Sequence, residues 1–376
     1  MLILHTSDWH VGKVLKGNAR AEEHIRVLNE LVELCAAERP DLVIVAGDLY
    51  DTAAPGAESQ RLVTRTLSAL RKRAGAVVAI AGNHDNGAAL EAHRGWAEAA
   101  GISLRGTISR DLVITGITDA GEPWRCAALP WLSQRYAVRA TEMFDLTSAE
   151  ADQLYADHVA RLVRELTKDQ TGDSVNLLTA HLTMVGGRMG GGEREAHTVA
   201  QYAVPTAVFP TSTHYVALGH LHRTQQVAGP TRVHYSGSPL AVDFGEADNQ
   251  PSAVLVEVSP DTPAKVRSVP IKSARELRTV RGTLEELRAL DTGDAWLRAY
   301  VSEKPRAGLR EEAQSFLPNA LEIRVDPAML ADARRAERAV RSGRSAKELF
   351  SSYLTEAGHD DPAVAELFDK IYTEMH

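Results

Sequence analysis

Five short polar clusters each close an apolar run in this chain. Asp8 and His10 follow LILHT, Gly47-Asp48 follows LVIVA, and Gly82-Asn83-His84 follows VVAIA. His181 ends NLLTAH, and His220 with His222 ends YVALGHLH. Asp8, His10, Asp48, Asn83, His181, His220 and His222 offer carboxylate, amide and imidazole donors without thiolate. Such a set suits a first-row divalent ion, with Mn, Fe and Zn all open. Asp8 and His10 stand two apart, as do His220 and His222, so extended backbone would aim each pair the same way. One such cluster is an ordinary polar turn, since Gly, Asn and Asp are common turn formers. Five at strand ends read as a site.

The seven donors exceed what one open catalytic centre takes and match a pair of ions sharing Asp48. Two divalent ions bring four positive charges, the two aspartates two negative ones, and a bridging hydroxide one more. The remainder is positive, ready for an anionic phosphate ester. Asn83 ligates without cancelling further charge. Gly47, Gly82 and Gly219 directly precede donors, where glycine lets backbone crowd close to a site. His84, next to a donor, is left to give a proton to the departing oxygen or to hold the scissile phosphate. Asp51 either orients that histidine or caps a helix or turn.

These clusters need strands to carry them. LILHTSD, LVIVAGD and AVVAIAGNHD read as buried strands. Helical spacing follows over 19–39 (Ile25, Leu28, Val32, Cys35), then at Leu62, Val63, Leu67 and Leu70, then around 88–99. Strand–helix alternation argues for an α/β sheet, which collects ligands at the carboxyl ends of its strands. Beyond residue 100 the runs DLVITGI, RCAALPW, VNLLTAH, HYVALGHLH, RVHYSGSP and AVLVEV extend it to a mixed sheet or a two-sheet sandwich. LRTVRG, WLRAYVSE and ALEIRV with two short helices form a small α+β module, and helical patterns fill the rest. The domains expected are 1–270, 271–327 and 328–376. GGRMGGGERE lacks the Gly-Lys-Ser/Thr ending of a phosphate-binding loop and reads as a mobile loop.

Bulk composition narrows the class. A chain of 376 residues, 44% hydrophobic and 24% charged, suits a multidomain globular protein. Its formal net charge of −8 neither supports nor excludes nucleic acid. Two cysteines, Cys35 and Cys126, provide neither a disulfide framework nor a thiolate zinc site. The apolar start breaks at Asp8 and His10, too early for a signal peptide, and no window reaches the ~18 residues of a membrane span. A cytoplasmic protein is expected. His5 reads as core and the remaining histidines as surface or structural; Trp9 and Trp131 read as packing residues.

The ordered set D-x-H, G-D-x-x-D, G-N-H-D, a lone His and G-H-x-H resembles the signature of calcineurin-like metallophosphoesterases. LHTSDWHVGK, VIVAGDLYDTAAP, AGNHDN, ALGHLHRTQ and YSGSPLAVDFGE resemble, more closely, the bacterial SbcD family of nuclease subunits, and the likeness runs over nearly the whole chain. The resemblance implies an α/β two-sheet sandwich flanked by helices, a small α+β DNA-capping domain and a C-terminal helical tail. It implies two Mn2+ ions on the seven donors, with His84 catalytic. Some relatives carry histidine in place of Asp51, so the role of Asp51 does not carry over directly. The implied activity is 3′-to-5′ exonuclease action on duplex DNA and endonuclease action on single strands and hairpins, in recombination, repair and replication. The implied partner is the SbcC ATPase, bound by the tail, around a nuclease homodimer within a heterotetramer at the nucleoid.

Two other readings share the clusters. A phosphatase or cyclic-nucleotide phosphodiesterase could use the same centre, although a small substrate would not require the added module and tail. A scaffold that tethers an ATPase would need no intact donor set.

Overall fold

The computed structural model describes residues 1–133, 147–193, 203–331, 345–359 and 361–375. The chain divides into two compact units, one of residues 1–278 with 294–296, the other of 279–293 with 297–376.

Two six-stranded sheets build the first unit. One runs in the order Lys265–Pro270, Ser252–Glu257, Leu2–Thr6, Leu42–Val45, Ala76–Ile80 and Ile102–Arg105. The other runs Gln225–Val227, Arg232–Tyr235, Tyr215–Gly219, Val175–His181, Pro123–Leu129 and Val113–Ile117. The strands that precede the polar clusters are parallel to their neighbours: Ile3 pairs with Leu42, Val43 with Val77, and Tyr215 with Leu177. Parallel strands are covered on both faces, which is why LVIV is apolar without alternation and VNLLTAH is buried at every position. AVLVEV and the strand after it, Lys265–Pro270, break the chain order. The former returns to the first sheet and lies antiparallel to the first strand, Leu4 opposite Leu255.

Three apolar layers hold this unit together. Between the sheets lie Ile3, Ile44, Val78, Cys126, Leu177 and Ala217. Outside the first sheet, helices Ala21–Glu38 and Ala57–Arg71 bury Val27, Leu28, Leu31, Val63, Leu67 and Leu70 at helical spacing. Outside the second, Ser148–Thr167 contributes Tyr155, Val159 and Val163 and starts with a capping box between Thr147 and Glu150. The helix expected around 88–99 is two, Gly87–Ala92 and Arg94–Ala99, broken at His93 where ψ is −3°. No helix among the described residues is long and apolar enough to cross a membrane.

The sheet Leu277–Gly282, Trp296–Val301 and Ala320–Val325, whose residues from 279 to 282 and from 297 onward fall in the second unit, alternates with helices Leu284–Ala289 and Leu309–Phe316. Two tail helices, Ala346–Glu356 and Pro362–Met375, stack Phe350 on Phe368 with ring centroids 4.0 Å apart. Residues 332–344 of the basic tail stretch lie outside the described residues.

Candidate metal centre

Parallel order in both sheets brings the carboxyl ends of Leu2–Thr6, Leu42–Val45, Ala76–Ile80, Val175–His181 and Tyr215–Gly219 to one edge of the sandwich. Beyond their strands, the first two segments continue side by side: Asp8 N–H donates to the Gly47 oxygen and His10 N–H to the Asp48 oxygen, both at 3.0 Å. The turns are tight. Asp8, His10, Asp48 and His220 all adopt left-handed backbone, with φ of 53°, 47°, 53° and 100°. Non-glycine residues held there carry strain of order 1–3 kcal/mol each, which the surrounding bonds must impose. The extended pairs expected from the two-residue spacing are therefore not what makes these side chains converge. Asp8 and His10 are not extended, and the strand before His220 ends at Gly219. Left-handed turns, rather than a two-residue pleat, aim the donors inward. Glycine is required alongside them. Gly47 has φ of 97°, a Cβ there would collide with the His181 ring, and one on Gly82 would collide with the Asp48 carboxylate.

All seven expected donors come together, in two groups joined at Asp48. In the first, His10 Nε2 and His222 Nε2 stand 3.0 Å apart, with Asp8 Oδ1 4.0 Å from His222 Nε2. In the second, Asn83 Oδ1 lies 2.9 Å from His181 Nε2 and 2.8 Å from His220 Nδ1. Asp48 Oδ2 lies between them, 3.7 Å from His10 Nε2 and 3.4 Å from His181 Nε2. Its other oxygen accepts the His84 N–H at 2.8 Å, which leaves Oδ2 directed into the centre. Asp8–His10–His222 and Asp8–Asp48–His181 each place donor atoms within 4.8 Å of one another. Cis ligands about 2.1 Å from an octahedral ion stand about 3 Å apart, so the donor chemistry and spacing fit divalent cations.

Electrostatics follow burial. Desolvation raises Asp8 to about 6 and lowers His10 to about 3. Burial disfavours a charged His181 too, but the Asp48 carboxylate prevails and lifts it to about 9; Glu246 does the same for His222, to about 10. Asp48 is held well below the usual carboxylate range: burial opposes its charge, and His181 more than compensates. The carboxylates that hold protons on His181 and His222 would hold a divalent cation in their place.

His84 is buried beside the donors, its ring edge-on to His10 with centroids 4.5 Å apart. It also falls within 4.8 Å of a ligand atom on both His10 and Asp48. Asp51 does not cap helix Ala57–Arg71, whose N-cap is Gly56. Its carboxylate lies 3.2 Å from Lys13 Nζ and 3.6 Å from His10 Nδ1. Three further carboxylates support the donors. Asp85 accepts the N–H groups of Leu49, Tyr50 and Gly82, pinning the second and third clusters together. Glu193, in the glycine-rich stretch, accepts His222 N–H at 2.9 Å, so the described part of that stretch is tied to the centre. Glu246 meets His222 Nδ1 at 2.5 Å. Asp85 abuts the GNH cluster and was legible as part of it; Glu193 and Glu246 stand 29 and 24 positions from His222 and carried no local signal. Among the other histidines, His5 is buried in its strand, and His24 is buried as a structural residue that bonds the Arg20 and Trp9 carbonyls.

The calcineurin-like phosphoesterase family model matches residues 1–224. This chain belongs to that family. A second model, described as a type 5 capsule protein repressor C-terminal domain, matches residues 273–357. The SbcD subunit of the SbcCD nuclease of Bacillus subtilis (strain 168) is 34% identical over 323 residues, covering 83% of this chain and 81% of that protein. The protein of the same name from Rhodobacter capsulatus is 34% identical over 331 residues, covering 82% and 78%. Within the family, the chain falls with the SbcD proteins. The crystal structure of TT1561 of Thermus thermophilus covers 72% of this chain and 99% of its own at 13% identity, with a TM-score of 0.40.

Proposed function

We propose that this chain is the nuclease subunit of an SbcCD-type complex, a two-ion, Mn2+-dependent DNA phosphodiesterase. The observation that carries the reading is Asp48 Oδ2, placed between two donor groups that each have their own histidines. When bound, a pair of divalent ions supplies a hydroxide nucleophile and neutralises charge on the phosphoryl oxygens. The chain's residues do the rest. Asp8, His10 and His222 would hold one ion, Asn83, His181 and His220 the other, with Asp48 offered to both. His84 stands over the centre as the group that gives a proton to the departing oxygen. Its Nδ1 faces the Asp51 carbonyl oxygen at 2.8 Å, an acceptor only, so Nδ1 carries hydrogen and Nε2 is the working atom.

The substrates in this reading are duplex ends, degraded 3′ to 5′, and single strands and hairpins cut internally. Residues 271–327 act as a DNA-capping domain. Residues 328–376 dock the SbcC ATPase, around a nuclease homodimer within a heterotetramer. Tail helix Pro362–Met375 supports this, because Val364, Leu367, Ile371 and Tyr372 are exposed on it. An amphipathic helix of this kind suits a helix-in-groove contact. The direct test is Mn2+-dependent cleavage of hairpin DNA run beside p-nitrophenyl phosphate esters. Efficient hairpin cleavage is expected; turnover of the small esters alone would establish the phosphatase reading instead.

A further inference from the structure

The glycine-rich stretch has no role in the proposed reaction, yet its described end closes over one side of the centre. Gly190 and Gly191 donate their N–H groups to Glu193 at 2.5 and 2.7 Å, and Glu193 also accepts the His222 N–H. Asn249 Nδ2 donates to the Gly190 oxygen at 2.9 Å. Under this cover lies Glu246, buried, at the end of the short helix Phe244–Glu246. A Cβ on Gly192 would sit on the Glu246 carboxylate, so only glycine lets the stretch lie there.

Both Glu246 oxygens are engaged as acceptors. Oε2 takes the Val242 N–H at 2.8 Å, and Oε1 takes His222 Nδ1 at 2.5 Å. A carboxylate accepting at Nδ1 keeps the hydrogen on that nitrogen and turns Nε2 toward His10 and Asp8. Resting on the two-ion reading, we propose that Glu246, sealed beneath Gly190–Glu193, is a positioning residue that fixes His222 with Nε2 presented to the ion shared with Asp8 and His10.

The substitution Glu246→Gln separates this from a packing role. A glutamine has one acceptor oxygen where two are required. Its NH2 must face either the Val242 N–H or His222 Nδ1, and the second choice moves the hydrogen to Nε2 and spoils the ligand. Outer carboxylates of this kind are worth about 10–100-fold in metal affinity. Calorimetry of the full chain with Mn2+ should show that loss at one site only, with the second retained. Electron paramagnetic resonance should show the coupled-pair signal of the wild type replaced by that of an isolated Mn2+. Gly192→Ala, which displaces the carboxylate without removing it, should move both readouts the same way, with thermal unfolding reporting the cost of the clash separately. Glu246→Gln and Gly192→Ala proteins that bind two Mn2+ ions as tightly as wild type, with the coupled signal intact, would overturn the assignment. Failure of the two-ion reading would show separately, as a wild-type protein with no coupled pair.

Discussion

His84 Nδ1 lies 2.8 Å from the main-chain oxygen of Asp51 but 3.9 Å from its carboxylate, so backbone rather than side chain holds the imidazole. Substituting Asp51 therefore leaves the His84 anchor in place, whereas substituting His84 removes the group proposed to give the proton. His84→Gln is expected to retain both Mn2+ ions and to lose about 10²–10⁴-fold in turnover, the usual worth of a positioned acid. Asp51→Asn should lose much less. Calorimetry beside single-turnover cleavage checks both; collapse of metal affinity in His84→Gln would make His84 a ligand.

Asp48 is expected to behave differently. Its Oδ2 is the point where the two donor groups meet, so Asp48→Ala should abolish binding of both ions and all cleavage. Anomalous scattering from Mn2+-soaked crystals of the wild type should show two peaks flanking this oxygen. One fully occupied ion with Asp48 unshared would contradict the assignment.

Asp85 holds the loops rather than the ions. Asp85→Ala strips the acceptor from three buried N–H groups, each costing about 1–3 kcal/mol when left unpaired. Unfolding in urea should register a loss of about 3 kcal/mol or more. Asp85→Asn, which keeps one acceptor oxygen, should lose less.

Much of this centre was legible in sequence because all seven donors sit directly after buried apolar runs, and parallel sheets send such positions to one edge. The sandwich was legible from short apolar runs that alternate with helical spacing, and the small module from its strands and short helices, such as WLRAYV with alternate residues buried. Three things were not. The left-handed turns at Asp8, His10, Asp48 and His220 are imposed by bonds between segments, such as Asp8 N–H to Gly47, and by no local propensity. The return of Ser252–Glu257 to the first strand is a tertiary choice. Glu193 and Glu246 reach His222 only after folding, since nothing near either glutamate in the chain points to an imidazole.

His5 predicts an acid-sensitive fold. Burial lowers it from 6.5 to about 3, with His234 adding to the effect, while its Nδ1 stays 2.9 Å from the Tyr215 hydroxyl. Between these two values the unfolded chain binds a proton that the folded chain refuses, so stability rises with pH. The contribution is complete above about 6.5 and is lost as pH falls toward 3, with a slope of up to about 1.4 kcal/mol per pH unit. His5→Gln, which can still bond Tyr215, should flatten the dependence of urea stability on pH across that window. An unchanged slope would show that His5 accepts its proton in the folded state.

A substitution on the tail helix should separate docking from catalysis. Leu367 and Ile371 are 58% and 48% exposed on helix Pro362–Met375, one turn apart, while Phe368 is occupied against Phe350. Two such side chains on one stripe are a hydrophobic anchor of the helix-in-groove kind. The double substitution Leu367→Glu with Ile371→Glu places charge on that stripe without touching the Phe350–Phe368 stack. Mn2+-dependent hairpin cleavage by the isolated chain should stay at the wild-type rate. Co-purification with SbcC, and ATP-dependent processing of duplex ends by the mixture, should be lost. Full-affinity binding of the double variant to SbcC would remove this helix from the interface, and a parallel loss of hairpin cleavage would place the tail in the nuclease itself.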